Sequence, residues 1–481
     1  MLLGIDLGTG ALKVGLFTAD GQPLAIVRRS FTTRRIAEHG AEQDPDEWWA
    51  ATCDALAEIF ATHDPQEVAA ICVIGQGPTL VVCDVALRAR APALLWADRR
   101  DHAERLRLSE QFGSEVSTYS LLPKVSWLAR GGGSATPPPT EIFSDGAFVM
   151  QAYDFIAARL TGQPFASQFG AWPPFAADEF ARADLNPQWI PNIVPMGQHV
   201  GVTRAPWCDA AHLPAGIPII AGVYDSVPTT LGTALVVEGR ACDFGGGSGG
   251  FGLVCNAPFT AHGIGAWPGL CEGQFIVGGA TASAGTTLDW FARTFGGLDL
   301  TPRSSLFSGE GDVFADAEHI SVGADGLIFL PYLAGARAPL WDDELRGAFV
   351  GLALHHRLAH LARAVCEGIA FGLRNIARVV EGAGGRMTEL RVCGGTARYE
   401  LLNQIKADVL GVPVLVPQVI EASLLGAAMI GAVGMGLHAD HATAAERMVH
   451  VARRLETSAE RHAKYHAVFE KFLRLTALKL M

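Results

Sequence analysis

The chain has 481 residues, which is longer than one hydrophobic core normally supports, so two domains are expected. Its formal net charge of -12 at pH 7 argues against a nucleic-acid partner, because phosphate backbones call for a basic surface. The nine cysteines are odd in number and lie far apart, which favours free, buried thiols in a reducing cytoplasm over a disulfide framework. Met1 leads directly into apolar residues with no basic segment before them, so no secretion signal is predicted.

The first predicted elements are two apolar strands joined by a turn of small residues, at the start of the chain. The turn Gly8-Thr9-Gly10 lets phosphate oxygens approach backbone N–H groups, because glycine has no Cβ to block them. Thr9 adds a hydroxyl donor and Lys13 a positive charge, while Asp6 is suited to a Mg²⁺ ion rather than to phosphate. Taken alone, the pattern fits a phosphate-binding hairpin and an ordinary β-hairpin with a glycine turn about equally well.

A helix and a buried strand follow. Asp44 is a suitable N-cap, with Pro45 in the first helical position and Glu47 completing a capping box. Residues 68–75 form an uninterrupted apolar run typical of a strand buried on both faces, and Gln76-Gly77-Pro78 breaks it. Ligands collect where such strands end, so this loop is a candidate binding segment.

A further apolar strand, which begins near residue 217, ends in a carboxylate at Asp225. Residues 227–239 are predicted to form a helix that leads to the second domain. The domain boundary is therefore expected near Arg240, which gives domains of residues 1–240 and 241–481.

A second hairpin of the same type begins at Arg240. Asp243 ends its first strand, a glycine-rich turn with Ser248 follows, and another apolar strand completes it. Two phosphate-type hairpins about half a chain apart predict two similar domains that face one nucleotide in a cleft. The arrangement resembles the ATP-using superfamily of actin, hexokinase and the heat-shock chaperone ATPases.

Three segments of the second half complete the pattern. A strand that ends in Gly394-Gly395 and a predicted helix over residues 399–410 fit a nucleoside site, although a glycine turn required for steric reasons explains them equally well. The apolar run of residues 422–437 is interrupted by glycines and slightly short for a membrane span, so a buried helix is predicted. Residues 443–481 are predicted to form a pair of short amphipathic helices.

These segments together resemble the FGGY carbohydrate kinases, a family that includes xylulokinase, ribulokinase, gluconokinase and glycerol kinase, over essentially the whole chain. The motifs that carry the resemblance are Asp6-Leu7-Gly8-Thr9, Asp44-Pro45-Asp46-Glu47-Trp48-Trp49, Trp96-Ala97-Asp98-Arg99-Arg100, residues 331–342 and 346–352, and Gly394-Gly395 with residues 404–413. The resemblance implies an α/β fold of two ribonuclease-H-like (actin-like ATPase) domains. Each would have a mixed sheet flanked by helices, with the active site in the interdomain cleft.

The resemblance also implies roles for individual residues. It makes Asp225 the catalytic base that accepts the proton of the attacking hydroxyl group, and Asp6 the residue that positions Mg²⁺. The residues expected to contact ATP are Gly8, Thr9, Gly10, Lys13, Gly246, Gly247, Ser248, Gly285, Gly395, Thr396 and Tyr399. The residues expected to contact the carbohydrate are Gln76, Gly77, Pro78, Asp98, Asp225 and Ser226.

Departures from the family pattern bear on the substrate and on activity. After the corresponding glutamine, xylulokinases usually have Met-His and glycerol kinases Arg-Glu, whereas this chain has Gly77 and Pro78. A missing pair of hydrogen-bonding side chains changes discrimination, so neither D-xylulose nor glycerol is simply inherited as the acceptor. Gly247 stands where a Thr is common in the second phosphate turn, and Ala336 stands where Glu is usual.

The expected function is phosphoryl transfer from ATP, with Mg²⁺, to a hydroxyl group of a small carbohydrate: a ketose such as a pentulose, or a polyol. One alternative is a noncatalytic sugar- and nucleotide-binding relative that acts as a sensor, which the changes at Gly247 and Ala336 favour. Another is a chaperone-type ATPase, which needs a client-binding segment. The expected partner is a small-molecule carbohydrate, with neither nucleic acid nor membrane, and a homodimer is a further expectation because dimers are frequent among relatives.

Overall fold

The computed structural model describes residues 1–37, 39–132, 138–171, 173–259, 261–295 and 314–478. The chain divides into two compact units. Unit 1 comprises Met1–Gly232 and Ser423–Met448, and unit 2 comprises Thr233–Ala422 and Val449–Met481. The predicted division at residue 240 leaves residues 423–448 in the second domain, whereas in the structure these residues pack in unit 1.

Unit 1 is built on a six-stranded mixed sheet. In spatial order its strands are His199–Val202, Pro218–Ile220, Ala70–Gly75, Leu2–Leu7, Ala11–Phe17 and Pro23–Ser30. The predicted first hairpin lies within this sheet, with Asp6 directly opposite Lys13. Ala70–Gly75 runs parallel to Leu2–Leu7, and every residue of both strands is buried, as their apolar sequences predict.

Smaller sheets and helices complete unit 1. A five-stranded sheet contains Arg34–Ile36, Gly40–Gln43, Ala93–Leu94, Leu80–Cys83 and Phe148–Gln151, and a two-stranded sheet pairs Phe165–Gln168 with Asn192–Pro195. The α-helices are Pro45–Phe60, His102–Phe112, Leu122–Ala129, Pro139–Ile142, Ala152–Thr161, Ala177–Arg182, Trp207–Ala210, Ser226–Gly232, Ala422–Gly434 and His441–Met448, with 3₁₀-helices at Pro65–Glu67 and Pro187–Trp189. Asp44 caps the first helix as predicted, although its carboxylate accepts from the N–H of Asp46 (2.9 Å) rather than from that of Glu47.

The helix Ala422–Gly434 packs on the first hairpin of unit 1. A Cβ at Gly4 would lie 2.6 Å from the carbonyl oxygen of Leu424, and a Cβ at Gly15 would lie 3.3 Å from Leu424 Cδ1. Gly4 therefore lets the helix approach the sheet closely, whereas a Cβ at Gly15 would first meet the ring of Phe17, at 2.6 Å. The prediction of a buried helix is confirmed, and within the described residues no helix is both long enough and apolar enough to span a membrane.

Unit 2 is built on a seven-stranded sheet. In spatial order its strands are Gly265–Pro268, Phe275–Ala280, Gly250–Cys255, Arg240–Asp243, Glu389–Val392, Val414–Pro417 and Val451–Leu455, and a separate pair joins Ile328–Leu330 to Ala348–Val350. The helices are Gly285–Phe295, Leu358–Gly382, Glu400–Leu410 and Ala459–Ala477, with 3₁₀-helices at Ala315–His319, Ala324–Gly326 and Gly395–Arg398. The predicted second hairpin is present, formed by Arg240–Asp243 and Gly250–Cys255.

The main sheets of the two units repeat one pattern. In each unit the first strand of the hairpin has the second strand antiparallel on one side and a distant strand parallel on the other. A third antiparallel strand extends the hairpin side, and a second parallel strand followed by an antiparallel one extends the opposite side. The prediction of two similar domains, drawn from two similar hairpins, is therefore confirmed.

Two predicted elements differ from the structure. The helix predicted over residues 227–239 is the shorter Ser226–Gly232, and Ala234 just beyond it has a φ of 55°, which a right-handed helix does not contain. Residues 443–481 are not simply two helices, because Val451–Leu455 forms a strand between them. That strand pairs with Val414–Pro417 at the sheet edge, so a tertiary contact decides its conformation.

Within the described residues no disulfide joins any of the nine cysteines, and seven of the nine are buried. Cys53 and Cys271 are partly exposed. The prediction of small buried thiols therefore holds for all but these two.

Candidate active site

The turn of the first hairpin is held by side chains from two other segments of unit 1. Gln43 Nε2 donates a hydrogen bond to the carbonyl oxygen of Thr9 (2.7 Å), and Trp96 Nε1 donates one to Thr9 Oγ1 (2.9 Å). Gly8 closes the turn with a backbone hydrogen bond of 3.1 Å. A Cβ at Gly10 would meet no atom within 4 Å, so the turn is open there, as an approaching phosphate group requires.

Asp6, Lys13 and Asp225 form a group of charged side chains in unit 1. Asp6 is buried at the end of the first strand, with Lys13 as its cross-strand neighbour. Asp6 Oδ2 accepts a hydrogen bond from Ser423 Oγ (2.6 Å), on the first turn of the helix Ala422–Gly434. Asp225 is anchored next to the same sheet, since its N–H donates to the carbonyl oxygen of Gly75 (2.8 Å).

The pKa of Asp225 is raised to about 7. Burial of the carboxyl group is the largest cause, and the negative charge of Asp6 adds to it. The N–H of Ser226 and the charge of Lys13 act in the opposite direction. The three predicted residues thus share one electrostatic environment, and a carboxyl group with a pKa near 7 is matched to general-base catalysis.

The segment Gln76-Gly77-Pro78, here called the acceptor loop, is connected to the first hairpin turn by one side chain. Gln76 is buried, and its Nε2 donates to Gln43 Oε1 (2.9 Å). The same oxygen accepts from Trp48 Nε1 (3.0 Å). Because Gln43 also binds Thr9, one amide holds both the acceptor loop and the first hairpin turn in place.

Asp98 lies in a buried ion pair. Its Oδ2 accepts from Arg100 (2.6 Å) and from the N–H of Ala41 (2.9 Å), while its carbonyl oxygen accepts from the buried Lys124 Nζ (2.6 Å). Burial alone raises the pKa of Asp98, but the hydrogen bonds from Arg100 and the backbone outweigh it and lower the pKa. Because its carboxylate is already bound by these partners, Asp98 is better suited to holding the loop of residues 96–100 than to the predicted contact with the carbohydrate. Ser226 is exposed at the start of the helix Ser226–Gly232.

In unit 2 the glycine-rich turn of the second hairpin packs against two other segments. The N–H of Gly285 donates to the carbonyl oxygen of Gly246 (3.1 Å), and a Cβ at Gly285 would lie only 2.4 Å from that oxygen. A Cβ at Gly245, where φ is 56°, would lie 1.9 Å from the carbonyl oxygen of Cys393. Glycine is therefore required at both positions for the close approach. Gly247 accepts backbone hydrogen bonds from the residues on either side of Gly285.

The other predicted nucleotide residues surround this turn. A Cβ at Gly246 or at Gly395 would meet no atom within 4 Å, so both positions leave open space. The hydroxyl of Thr396 is buried and has no hydrogen-bond partner among the described residues. The carbonyl oxygen of Ser248 accepts from the Thr281 hydroxyl. Tyr399 differs from these, because its partly buried ring packs edge-on against Phe314, with ring centres 5.8 Å apart.

A buried ion pair supports the second hairpin turn. Asp243 Oδ2 lies 2.6 Å from Lys406 Nζ, and both side chains are almost entirely removed from solvent. Asp243 Oδ1 accepts from the N–H of Gly245 (3.0 Å). Lys406 lies on the helix Glu400–Leu410, which follows the Gly394-Gly395 turn, so the pair joins the two predicted nucleotide segments.

Three residues that hold the site were not predicted: Gln43, Ser423 and Lys406. Lys406 had a usable signal, because a lysine among residues at helical spacing that are otherwise buried and apolar requires a partner charge. The Gln43 amide and the Ser423 hydroxyl had no such signal, since these residue types are common on surfaces and their contacts come from distant segments.

The residues present fit Mg²⁺ and ATP. Asp6 supplies carboxylate oxygens, the hard ligands that Mg²⁺ prefers. Within the described residues no group of three or more His, Cys, Asp or Glu is placed to hold a metal ion, so Asp6 would share Mg²⁺ with phosphate oxygens and water, the usual mode of Mg²⁺ binding. In unit 2 the open glycines and the buried Thr396 hydroxyl fit a nucleotide.

Comparison with known proteins gives consistent matches. The profile of the FGGY family of carbohydrate kinases matches residues 1–171 with its N-terminal domain and residues 245–435 with its C-terminal domain. The chain is 29% identical to a xylulose kinase of Escherichia coli (strain K12), with 85% of each chain covered, and 26% identical to a gluconokinase of Bacillus subtilis (strain 168), with 90% of this chain and 88% of that one covered. The solved structure of a ligand-bound xylulose kinase from Lactobacillus acidophilus superposes with a TM-score of 0.81 at 22% identity, covering 99% of this chain and 98% of the other. The predicted fold class is confirmed by this likeness.

Proposed function

The chain belongs to the FGGY family of carbohydrate kinases, and on that premise we propose that it transfers the γ-phosphoryl group of ATP to a hydroxyl group of a ketose or polyol, with Asp225 as the general base. Kinases of this family use ATP as the phosphate donor. The observation that carries the proposal is the group formed by Asp225, Asp6 and Lys13 in unit 1. Burial in this group, together with the charge of Asp6, raises the pKa of Asp225 to about 7. At neutral pH a large fraction of such a group is ionised, and the ionised form is basic enough to accept a proton.

In the proposed reaction Asp225 accepts the proton of the acceptor hydroxyl. As that O–H bond breaks, the acceptor oxygen forms a bond to the γ-phosphorus, and the bond from that phosphorus to the oxygen of the departing ADP breaks. Phosphoryl transfer has a loose transition state, so positioning and charge stabilisation supply most of the catalysis. The contacts of Gln43 and Trp96 with Thr9 support catalysis by positioning, because they hold the turn Gly8-Thr9-Gly10 in one geometry.

Asp6 is the residue proposed to hold Mg²⁺, which when bound would neutralise phosphate charge. Lys13 and the N–H groups of the Gly8-Thr9-Gly10 turn would bind the transferred phosphoryl group. In unit 2 the turn at Gly246, Gly247 and Ser248, with Gly285, would hold the remaining phosphates, and Gly395, Thr396 and Tyr399 would lie on the nucleoside side. Ser423 would keep Asp6 in its orientation through their 2.6 Å hydrogen bond.

The identity of the acceptor is a separate question. The relatives named above are a xylulose kinase and a gluconokinase, so a neutral ketose and a sugar acid are both reasonable candidates. Gly77 and Pro78 offer no side-chain hydrogen bond to either, and the acceptor must therefore be found by screening.

The proposal is tested by measuring ADP release with MgATP and a panel that contains D-xylulose, D-ribulose, D-gluconate, glycerol and xylitol. The wild type should release ADP with at least one compound. Asp225→Asn should then lower kcat by roughly 10²–10⁴-fold while the affinity for ATP is retained, because the variant lacks the base but keeps the nucleotide site.

The matched control is Asp178→Asn, which makes the same chemical change at an exposed position of unit 1 and should leave kcat unaltered. Equal turnover by Asp225→Asn and wild type would remove Asp225 from the mechanism. Binding of a sugar and a nucleotide without ADP release would favour the noncatalytic sensor instead.

A further inference from the structure

The direction in which a side chain at position 77 would point is occupied by two other segments of unit 1. A Cβ at Gly77 would lie 2.9 Å from Tyr224 Cβ and 3.3 Å from Gln151 Oε1. Gln151 ends the strand Phe148–Gln151, and Tyr224 directly precedes Asp225. The glycine therefore does more than omit a polar side chain, because it makes room for an amide and an aromatic ring beside the general base.

The amide of Gln151 presents its oxygen on this side. Its Nε2 donates to the hydroxyl of Tyr153 (2.5 Å), which is buried. Its Oε1 accepts no hydrogen bond from any described residue, and it is the atom nearest Gly77 on that segment. The oxygen is therefore available to a donor group that enters beside the acceptor loop.

Gln76 offers a second amide oxygen of the same kind. Trp48 Nε1 only donates, so the oxygen of Gln43 must face it, and Gln76 must then turn its Nε2 towards that oxygen. Gln76 Oε1 is left buried and without a partner among the described residues. An orphaned buried acceptor is costly in a native protein, which indicates that a donor outside the chain completes it.

We propose that Gln151 and Gln76 determine acceptor specificity: their two amide oxygens accept hydrogen bonds from two hydroxyl groups of a neutral polyhydroxyl compound, in place of the side chains absent at Gly77 and Pro78. The assignment rests on the proposed kinase function and deepens it. An amide oxygen accepts a hydrogen bond from a hydroxyl group but not from a carboxylate, which has no hydrogen to donate, so these two oxygens favour a neutral acceptor over a sugar acid.

The test is calorimetric binding without ATP, using D-xylulose, xylitol, glycerol and D-gluconate as probes. Wild type should bind at least one neutral compound more tightly than D-gluconate. Gln151→Met, which keeps the length of the side chain but has no amide, should weaken that binding by about tenfold and leave MgADP binding unchanged. Gln168→Met is the matched control, since among the described residues its amide donates only to the carbonyl oxygen of Gly170 near the surface, and it should bind like wild type.

A second measurement removes the dependence on one variant. Analogues of the best neutral probe that each lack one hydroxyl should bind the wild type about tenfold more weakly at one position, and Gln151→Met should not distinguish that analogue from the parent. Thermal unfolding would establish that the variants are folded.

Equal affinity of Gln151→Met and wild type, or no binding of any neutral probe, would overturn the assignment even if D-gluconate were phosphorylated and the kinase function stood. Conversely, binding that depends on Gln151 without ADP release for any acceptor would uphold the assignment and refute the proposed kinase function.

Discussion

Asp225, the proposed general base, is a side chain whose ionisation depends on its neighbours. Burial and Asp6 raise its pKa to about 7, whereas Lys13 acts to lower it. The carboxyl group of Asp225 is therefore half-protonated near neutral pH in the free protein. Arrival of further positive charge beside Asp6 would favour the ionised form.

This ionisation predicts the pH dependence of the reaction. The value of kcat/KM for the acceptor, which reports groups of the free enzyme, should fall about tenfold per pH unit below a pKa near 7. Initial rates between pH 5 and 9 at subsaturating acceptor would measure it. A profile that stays flat down to pH 5 would show that Asp225 titrates at its ordinary acidic value or takes no part.

The same carboxyl group should affect stability. Its pKa is about 7 in the folded state and near 4 in the unfolded state, so the folded state binds the proton more tightly and loses stability as pH rises from about 4 to about 7. Asp225→Asn cannot ionise, so its stability advantage over wild type should be smallest near pH 4 and greatest above pH 7. Urea unfolding of both proteins at pH 4.5, 6 and 8 would measure the difference. Asp154, whose pKa is also raised to about 7, makes the same pH-dependent contribution to the stability of both proteins. Its contribution therefore cancels in the difference between them.

The second hairpin turn depends on a buried pair of charges. Asp243 and Lys406 lie 2.6 Å apart and are both buried, so the loss of one leaves the other uncompensated. Lys406→Met should destabilise unit 2 by about 3–5 kcal/mol and raise the KM for ATP, because the turn and the helix Glu400–Leu410 lose their connection.

Chemical denaturation and ATP titration of the kinase rate would measure these effects. The double variant Asp243→Asn with Lys406→Met should recover part of the stability, since no buried charge remains. Lys471→Met, at an exposed position of unit 2, is the control. A single variant as stable as wild type would refute the importance of the pair.

Sequence patterns correctly predicted those secondary-structure elements whose conformation is determined by residues near one another in the chain. The hairpins, the N-cap at Asp44 and the buried strand Ala70–Gly75 follow from glycine turns, capping chemistry and continuous apolar residues. The strand Val451–Leu455 was missed because its residues are mostly exposed and become a strand only by pairing with Val414–Pro417. Gln43 was missed for a related reason: its importance lies in contacts with Thr9 and Gln76, on two distant segments.

The whole molecule is a duplicated sheet, and this explains why the two hairpins were so informative. Each hairpin occupies the same place in its sheet, beside two parallel strands, so a motif repeated in sequence marked a repeated architecture. The predicted division at residue 240 could not anticipate that the chain returns to unit 1 at Ser423. The local sequence of an apolar helix does not show whether the helix packs on the sheet formed by its own half of the chain or on the sheet formed by the other half.

That return predicts the behaviour of a fragment. The helix Ala422–Gly434 buries Leu424, Leu425, Met429 and Ile430 completely. Four such side chains contribute roughly 6–12 kcal/mol of burial free energy, which is comparable to the total stability of a domain, roughly 5–15 kcal/mol. Residues 1–240 expressed alone should therefore lack cooperative unfolding and be rapidly cleaved by protease.

A second, joined chain should restore the fold: residues 1–232 connected by a flexible linker to residues 423–448. In this chain the helix can again lie against Gly4 and Gly15, and Ser423 can again donate to Asp6. Urea unfolding followed by circular dichroism, together with limited proteolysis, would compare the two. Cooperative unfolding of residues 1–240 alone would show that the helix is dispensable to unit 1. Cooperative unfolding of the joined chain only would show that the first half of the sequence is not by itself a folding unit.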